Sequence, residues 1–242
     1  MSSEINSKEY WEEYFETKWE TYSGKKQTEY FMQLIIENLP ENVKNYIDYR
    51  DITILDWGCA LGQGVNLLQN KFLNAKVKGL DFSETAIKKA KSEYRDLNFT
   101  SESLSELKEK FSVITCSNCL EHFADPKPYF CEHLAHTKDI YIALVPYKEE
   151  NRIEGHKISL NEDFFPDETG TFQKIYFKIL DTRLSGFWYG YQLLVVYARK
   201  SLNLDKIDTD FKILINSQSH ELWENVAETY SETSNAAEIQ LG

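Results

Sequence analysis

The stretch Ile52–Leu68, ITILDWGCALGQGVNLL, decides how this chain is read. Ile52, Thr53, Ile54 and Leu55 form a β-rich apolar run that ends in Asp56. A turn of small residues follows, with Gly58, Cys59, Ala60, Gly62 and Gly64, and an apolar helical start resumes at Val65, Leu67 and Leu68. Strand, tight loop and helix start together form a ligand cradle. Glycines admit close backbone approach, and the first helical turn offers unpaired N–H groups. A dinucleotide loop needs G-x-G-x-x-G, and after Gly62-Gln63-Gly64 the third glycine is missing. The loop reads D-x-G-C-A-x-G from Asp56 to Gly62 instead.

Two later strings belong with it. Lys76–Asp81, KVKGLD, reads as a second strand ending in an acid, followed by Phe82 and Ser83. A carboxylate at that strand tip can accept both hydroxyls of a ribose, and Phe82 can stack on a base. Capping of the next helix by Asp81 or Ser83 is the competing role. Phe111–Pro126, FSVITCSNCLEHFADP, reads as a fourth strand, a loop, and a helix opened by Asp125-Pro126. Between them lies a short third strand, Leu97–Thr100, and after them a fifth, Asp139–Val145.

The D-x-G-C-A-x-G loop, the G-x-D-x-S string Gly79–Ser83 and the Phe111–Pro126 string resemble the class I S-adenosylmethionine (SAM)-dependent methyltransferases. The resemblance runs from about Tyr10 to Lys200 and is strongest over Ile52–Pro126. It implies an α/β fold: a Rossmann-like three-layer αβα sandwich with a seven-stranded, mostly parallel sheet whose last strand is antiparallel. It implies SAM as cofactor and S-adenosylhomocysteine (SAH) as product. On that resemblance the cofactor residues are Asp56, Gly58, Cys59, Ala60 and Gly62 in the loop, with Asp81 and Phe82 at the second strand. Ser101 and Glu102 replace the usual acid after the third strand as candidates for the adenine. Ser117 and Asn118 face the methionine moiety. Gly24–Phe31 fits G-x-x-Q-T-x-x-F and looks like the N-terminal region of bacterial methyltransferases of surface-glycan pathways. That makes Gln27 and Thr28 further cofactor candidates, with helix capping by Thr28 as the rival role.

Candidates for chemistry are few. His122, in Glu121-His122, has an ordinary pKa that suits a general base near neutrality, and holding its loop together is the alternative. His156, after Glu154-Gly155 on the long polar loop that follows the fifth strand, competes for the same role. Tyr14, Tyr147, Trp188 and Tyr189 are the candidate acceptor contacts. Some relatives bind a divalent ion with E-x-x-E-H at Asn118–His122. Asn118 replaces the first acid here, so no metal is expected. His133 and His136, at helical spacing i, i+3, read as solvated or capping residues.

Composition narrows the partners. The 242 residues suit one α/β domain with additions: N-terminal helices over 1–50 as a lid on the cofactor, a core over 51–200, and an extension over 201–242. An apolar fraction of 42%, with 15 Tyr and 14 Phe, supports a substantial core. The net charge of −12 and the lack of a Lys/Arg cluster argue against nucleic acid and for a small-molecule partner. No apolar run of about 18 residues exists to span a membrane. The start, MSSEINSKEYWEEYF, does not read as a signal peptide. Cys59, Cys116, Cys119 and Cys131 read as core cysteines of a reducing cytoplasm. Residues 174–200 alternate like a hairpin around SGFWYG. Beyond it, a strand-like run at 211–215 and a helix at 220–230 need a partner surface, either the chain's own core or another subunit, the latter a homodimer.

Three functions follow: methyl transfer to an oxygen or nitrogen of a small polar acceptor, such as a sugar or phosphoramidate group of a capsule polysaccharide; methyl transfer to an aromatic or quinone-like acceptor; or SAM binding by a non-catalytic partner or sensor.

Overall fold

The computed structural model describes residues 3–49, 51–206 and 209. The expected elements at 211–215 and 220–230, and the dimer that rested on them, lie outside the described residues. Three helices lead the chain, α1 (Lys8–Thr17), α2 (Gly24–Asn38) and α3 (Glu41–Tyr49). Strands and helices then alternate: β1 (Thr53–Trp57), α4 (Gln63–Lys71), β2 (Lys76–Leu80), α5 (Glu84–Glu93), β3 (Asn98–Thr100), β4 (Phe111–Ser117), α6 (Lys127–His136) and β5 (Thr137–Tyr147). The chain closes with β6 (Glu168–Thr169), β7 (Phe172–Asp181) and β8 (Tyr191–Arg199).

The sheet order is β3-β2-β1-β4-β5-β8-β7-β6. β1 to β5 are parallel, and β8 inserts antiparallel between β5 and β7. The sheet thus has eight strands rather than seven. The addition is two-residue β6, which extends the β7 edge where Glu168–Thr169 folds back on Phe172–Gln173. Helix α3 is also additional to the sequence reading. Pro40 ends α2, and its carbonyl then accepts the N–H groups of Val43 and Lys44 to start a new helix.

The central strands are buried on both faces, as near-continuous apolar runs in parallel strands require. Alternate residues serve opposite layers. Ile54, Val113, Ile140 and Ile142 pack with Met32 and Ile35 of α2 and Val65 of α4. Leu55, Ile114, Tyr141 and Ala143 pack with Phe130 and Leu134 of α6. His133 belongs to this second layer and is neither solvated nor capping. It is fully buried, its ring lies 4.4 Å from that of Trp57, and its Nδ1 is 3.1 Å from the Tyr141 hydroxyl. Burial pulls its pKa down to about 3. Among the described residues no helix is long and apolar enough to cross a membrane.

Ile54 is fully buried at the sheet centre, in register with Val77 and Val113. Ile54→Ala is expected to cost about 2–5 kcal/mol of unfolding free energy in urea titrations. A loss below about 1 kcal/mol would show that this centre repacks and does not carry the core.

Candidate functional site

Strand order reverses direction between β1 and β4, and the tips of β1, β2 and β4 open a crevice there. The crevice is a cavity of about 530 Å³. The loop after β1 forms its floor. Gly58 has φ +77° and packs against the Cys119 sulfur, where a side chain would collide. The N–H groups of Gly58 and Cys59 donate to the Leu80 carbonyl, at 2.8 and 3.0 Å. Ala60, at φ +47°, donates its N–H to Asp81 Oδ2 at 2.9 Å, and Ser83 donates its N–H to Asp81 Oδ1 at 2.9 Å. Each Asp81 oxygen therefore keeps accepting capacity toward the cavity. Burial pushes the Asp81 pKa up to about 6, against the pull of those two N–H groups. Burial likewise pushes Asp56 to about 7; the Thr115 hydroxyl donates to it at 2.9 Å and opposes the rise.

Helix α1 closes one side. Glu12 reaches the N-terminus of α5 and accepts from the Ser83 hydroxyl and the N–H groups of Glu84 and Thr85, at 2.8 to 2.9 Å. Lys89, further along α5, donates to the carbonyls of Phe15 and Glu16 at the end of α1. The two helices thus satisfy each other's open ends. Phe15 of α1 packs on Ala60 and Leu61 of the loop.

The far end of the cavity is built from the turn after β4 and the loop after β5. Asn118, at φ +51°, sits in the left-handed region that asparagine tolerates. The 3₁₀ turn Leu120–His122 follows. His122 Nδ1 lies 3.1 Å from the Gly155 carbonyl, and His156 Nδ1 lies 2.8 Å from both oxygens of Glu149. Carbonyl and carboxylate oxygens only accept, so both rings carry a proton on Nδ1, and in the neutral ring the lone pair lies on Nε2. The rings meet edge to face with centroids 5.0 Å apart. Trp11 packs on His122, and Trp188 stacks on His156. Burial lowers the His122 pKa to about 4, helped by the nearby His156. Glu121 is buried, neither of its carboxyl oxygens has a hydrogen-bond partner among the described residues, and burial raises its pKa to about 8. Asn6 spans the two loops, its Nδ2 donating to the carbonyls of His122 and Gly155 at 2.9 and 2.7 Å.

Residues 54–139 match the family model described as a methyltransferase domain. Solved methyltransferases share the architecture. Magnesium protoporphyrin IX methyltransferase of Synechocystis, crystallised with SAM, aligns with a TM-score of 0.54 at 15% identity, over 82% of this chain and 100% of that one. The plantazolicin methyltransferase, crystallised with SAH, aligns at 0.54 and 13%, over 79% and 95%. A SAM-dependent methyltransferase of Clostridium acetobutylicum aligns at 0.51 and 15%, over 70% and 90%. The fold is that of the class I SAM-dependent methyltransferases. No curated protein matches the sequence.

In this methyltransferase fold, the sequence-derived candidates fall in two groups. Gln27, Thr28, Asp56, Gly58, Ala60, Asp81, Phe82, Ser117, Asn118, His122, His156, Tyr14 and Trp188 line the cavity. Thr28 is not a cap: α2 begins at Gly24, and the Thr28 hydroxyl donates back to the Gly24 carbonyl. Cys59, Gly62, Ser101, Glu102, Tyr147 and Tyr189 do not line it. Cys59 is buried beneath the loop, and a Cβ on Gly62 would meet the Phe99 ring at 2.7 Å, so that glycine serves packing. Glu102 accepts from the Thr100 hydroxyl, and the chain reaches the cavity two and three residues after Ser101, at Ser103 and Leu104. Tyr147 pairs with Tyr191 in the sheet, and Tyr189 is 83% exposed. Glu12, Asn6 and Glu149 carry no motif, and the sequence alone does not single them out.

The raised Asp56 pKa sets a pH dependence. Its folded value lies above its unfolded one, so its contribution to stability is full below about pH 4 and is lost as pH rises through 7. The stability of Asp56→Asn relative to wild type, measured without ligand, is therefore expected to improve by several kcal/mol between pH 4 and pH 7. Each pH step of one between the unfolded and folded pKa values contributes about 1.36 kcal/mol. A difference constant across that range would contradict the burial account.

Proposed function

We propose that the protein is a SAM-dependent methyltransferase that methylates an oxygen or nitrogen of a small polar acceptor. One observation carries the reading. A single cavity joins the Asp81 carboxyl at the β2 tip to the Glu121–His122–His156 cluster after β4 and β5. Its size falls in the range of sites for small molecules, roughly 300–1,000 Å³.

The residues fit the cofactor. Asp81 has both oxygens anchored and accepting capacity left over for a ribose diol, and Phe82 beside it is 42% exposed, with a free ring face for a purine. Gln27 and Thr28 of α2, Ser117 at the end of β4 and Asn118 after it are the groups for the methionine end. In this reading the helices of 1–50 are the lid, and α1 is held on α5 through Glu12. Bound SAM would supply an activated sulfonium methyl group, so the protein's task is alignment and exclusion of water. At the acceptor end, the imidazoles of His122 and His156 can orient an acceptor hydroxyl; burial makes His122 a weak base, which leaves His156 as the candidate to receive the proton.

A polar acceptor is favoured by the imidazole and carboxyl groups that converge there. The resemblance of the N-terminal string Gly24–Phe31 to surface-glycan methyltransferases supports a sugar or another surface-polysaccharide intermediate as acceptor. Cys131 is exposed, not a core cysteine. Trp11, Tyr14 and Trp188 in the wall favour an aromatic acceptor as the second reading.

Calorimetry tests the cofactor site. Wild type is expected to bind SAM and SAH, and Asp81→Ala to weaken both by about 10- to 150-fold, corresponding to about 1.5–3 kcal/mol for a hydrogen bond to a charged group. A folded wild type that binds neither ligand would overturn the methyltransferase reading. Binding without any methylated product across sugar, amine and phenol acceptors would favour the non-catalytic partner.

A further inference from the structure

We propose that Glu121, His122 and His156 form a divalent-cation site in the wall of the cavity, with Glu149 and the Gly155 carbonyl as the outer groups that prepare it. This reverses the expectation drawn from Asn118.

The argument begins with the buried carboxyl. Glu121 is 1% exposed, and among the described residues neither of its oxygens has a hydrogen-bond partner. A buried polar group left unpaired is costly, and the side chains that face this one are two imidazoles. His156 Nε2 lies 4.0 Å from Glu121 Oε1. One ligand atom each from Glu121, His122 and His156 fall within 4.8 Å of one another. Two imidazole nitrogens and a buried carboxyl converging on one point form a cage for a cation.

The outer groups agree. A metal-binding histidine needs its other ring nitrogen to donate to a carboxylate or a carbonyl, which fixes the tautomer and the ring. His156 donates Nδ1–H to Glu149, whose side chain is 5% exposed, and His122 donates Nδ1–H to Gly155. Asn6 holds the His122 and Gly155 carbonyls together, and the Glu121 carbonyl accepts the Lys157 N–H at 2.7 Å. The site is therefore braced by three separate segments before any ion arrives.

Three protein ligands on one side leave the cavity side open. A two-imidazole, one-carboxylate set with open positions suits zinc, iron or manganese. With an ion bound both imidazole nitrogens are taken as ligands, so the ion in place of the imidazoles would hold an acceptor oxygen and make its proton easier to lose. That role rests on the methyltransferase reading; the site itself does not.

The test is a Co²⁺ titration of the full chain, without SAM or acceptor, followed by visible absorption. Wild type is expected to bind one equivalent saturably. Glu121→Gln and His156→Ala are each expected to weaken binding at least 100-fold, and Glu149→Gln, which touches no ion, by about 10- to 100-fold. His136→Gln, outside the cluster, is expected to leave binding unchanged. Circular dichroism checks that each variant folds; if Glu121→Gln does not, His156→Ala and Glu149→Gln still decide. No saturable binding by folded wild type, or binding unaffected in the folded variants, would overturn the site. SAH calorimetry on the same wild-type sample separates the outcomes: Co²⁺ bound without SAH removes the cofactor reading and leaves the site, and SAH bound without Co²⁺ does the reverse.

Discussion

The site depends on how the tip of β2 accepts the N–H groups of the loop after β1. The Leu80 carbonyl takes Gly58 and Cys59, and the Asp81 carboxyl takes Ala60. These bonds hold the loop in its left-handed turns and keep Asp56 and Asp81 buried side by side. Burying two carboxyls without a cation is unfavourable, and both pKa values rise for that reason. The strain and the buried charge sit where a ligand with hydroxyl or ammonium donors would relieve them, which is the usual location of such features.

The N-terminal segment completes the site from a distance in sequence. Glu12 caps α5, Lys89 answers at the end of α1, and Asn6 links the turn after β4 to the loop after β5. One short stretch thereby couples the cofactor end of the cavity to the acceptor end. A movement of α1 would open both together.

Much of this is legible in the sequence. The strand–loop–helix at Ile52–Leu68 has the composition its geometry demands, and Phe111–Ser117 is a strand at those same residues. Periodicity also marks the core, because parallel strands buried on both faces leave long apolar runs. What the sequence hides depends on tertiary contact. Helix α3 follows a proline that stops one helix and starts another. His133 looks like a surface histidine on spacing alone, and only the approach of Trp57 and Tyr141 buries it. Ser101 and Glu102 occupy the expected place in sequence, but the chain bends so that Ser103 and Leu104 reach the cavity. Glu12 and Glu149 are single acids in acidic segments, and nothing local distinguishes them from solvated charge.

The crystal structure of the protein with SAH tests the central claim most directly. The account predicts the ribose hydroxyls on Asp81, the adenine against Phe82, and the sulfur facing the Glu121–His122–His156 end of the cavity. SAH bound elsewhere, or bound here with its ribose away from Asp81, would contradict it.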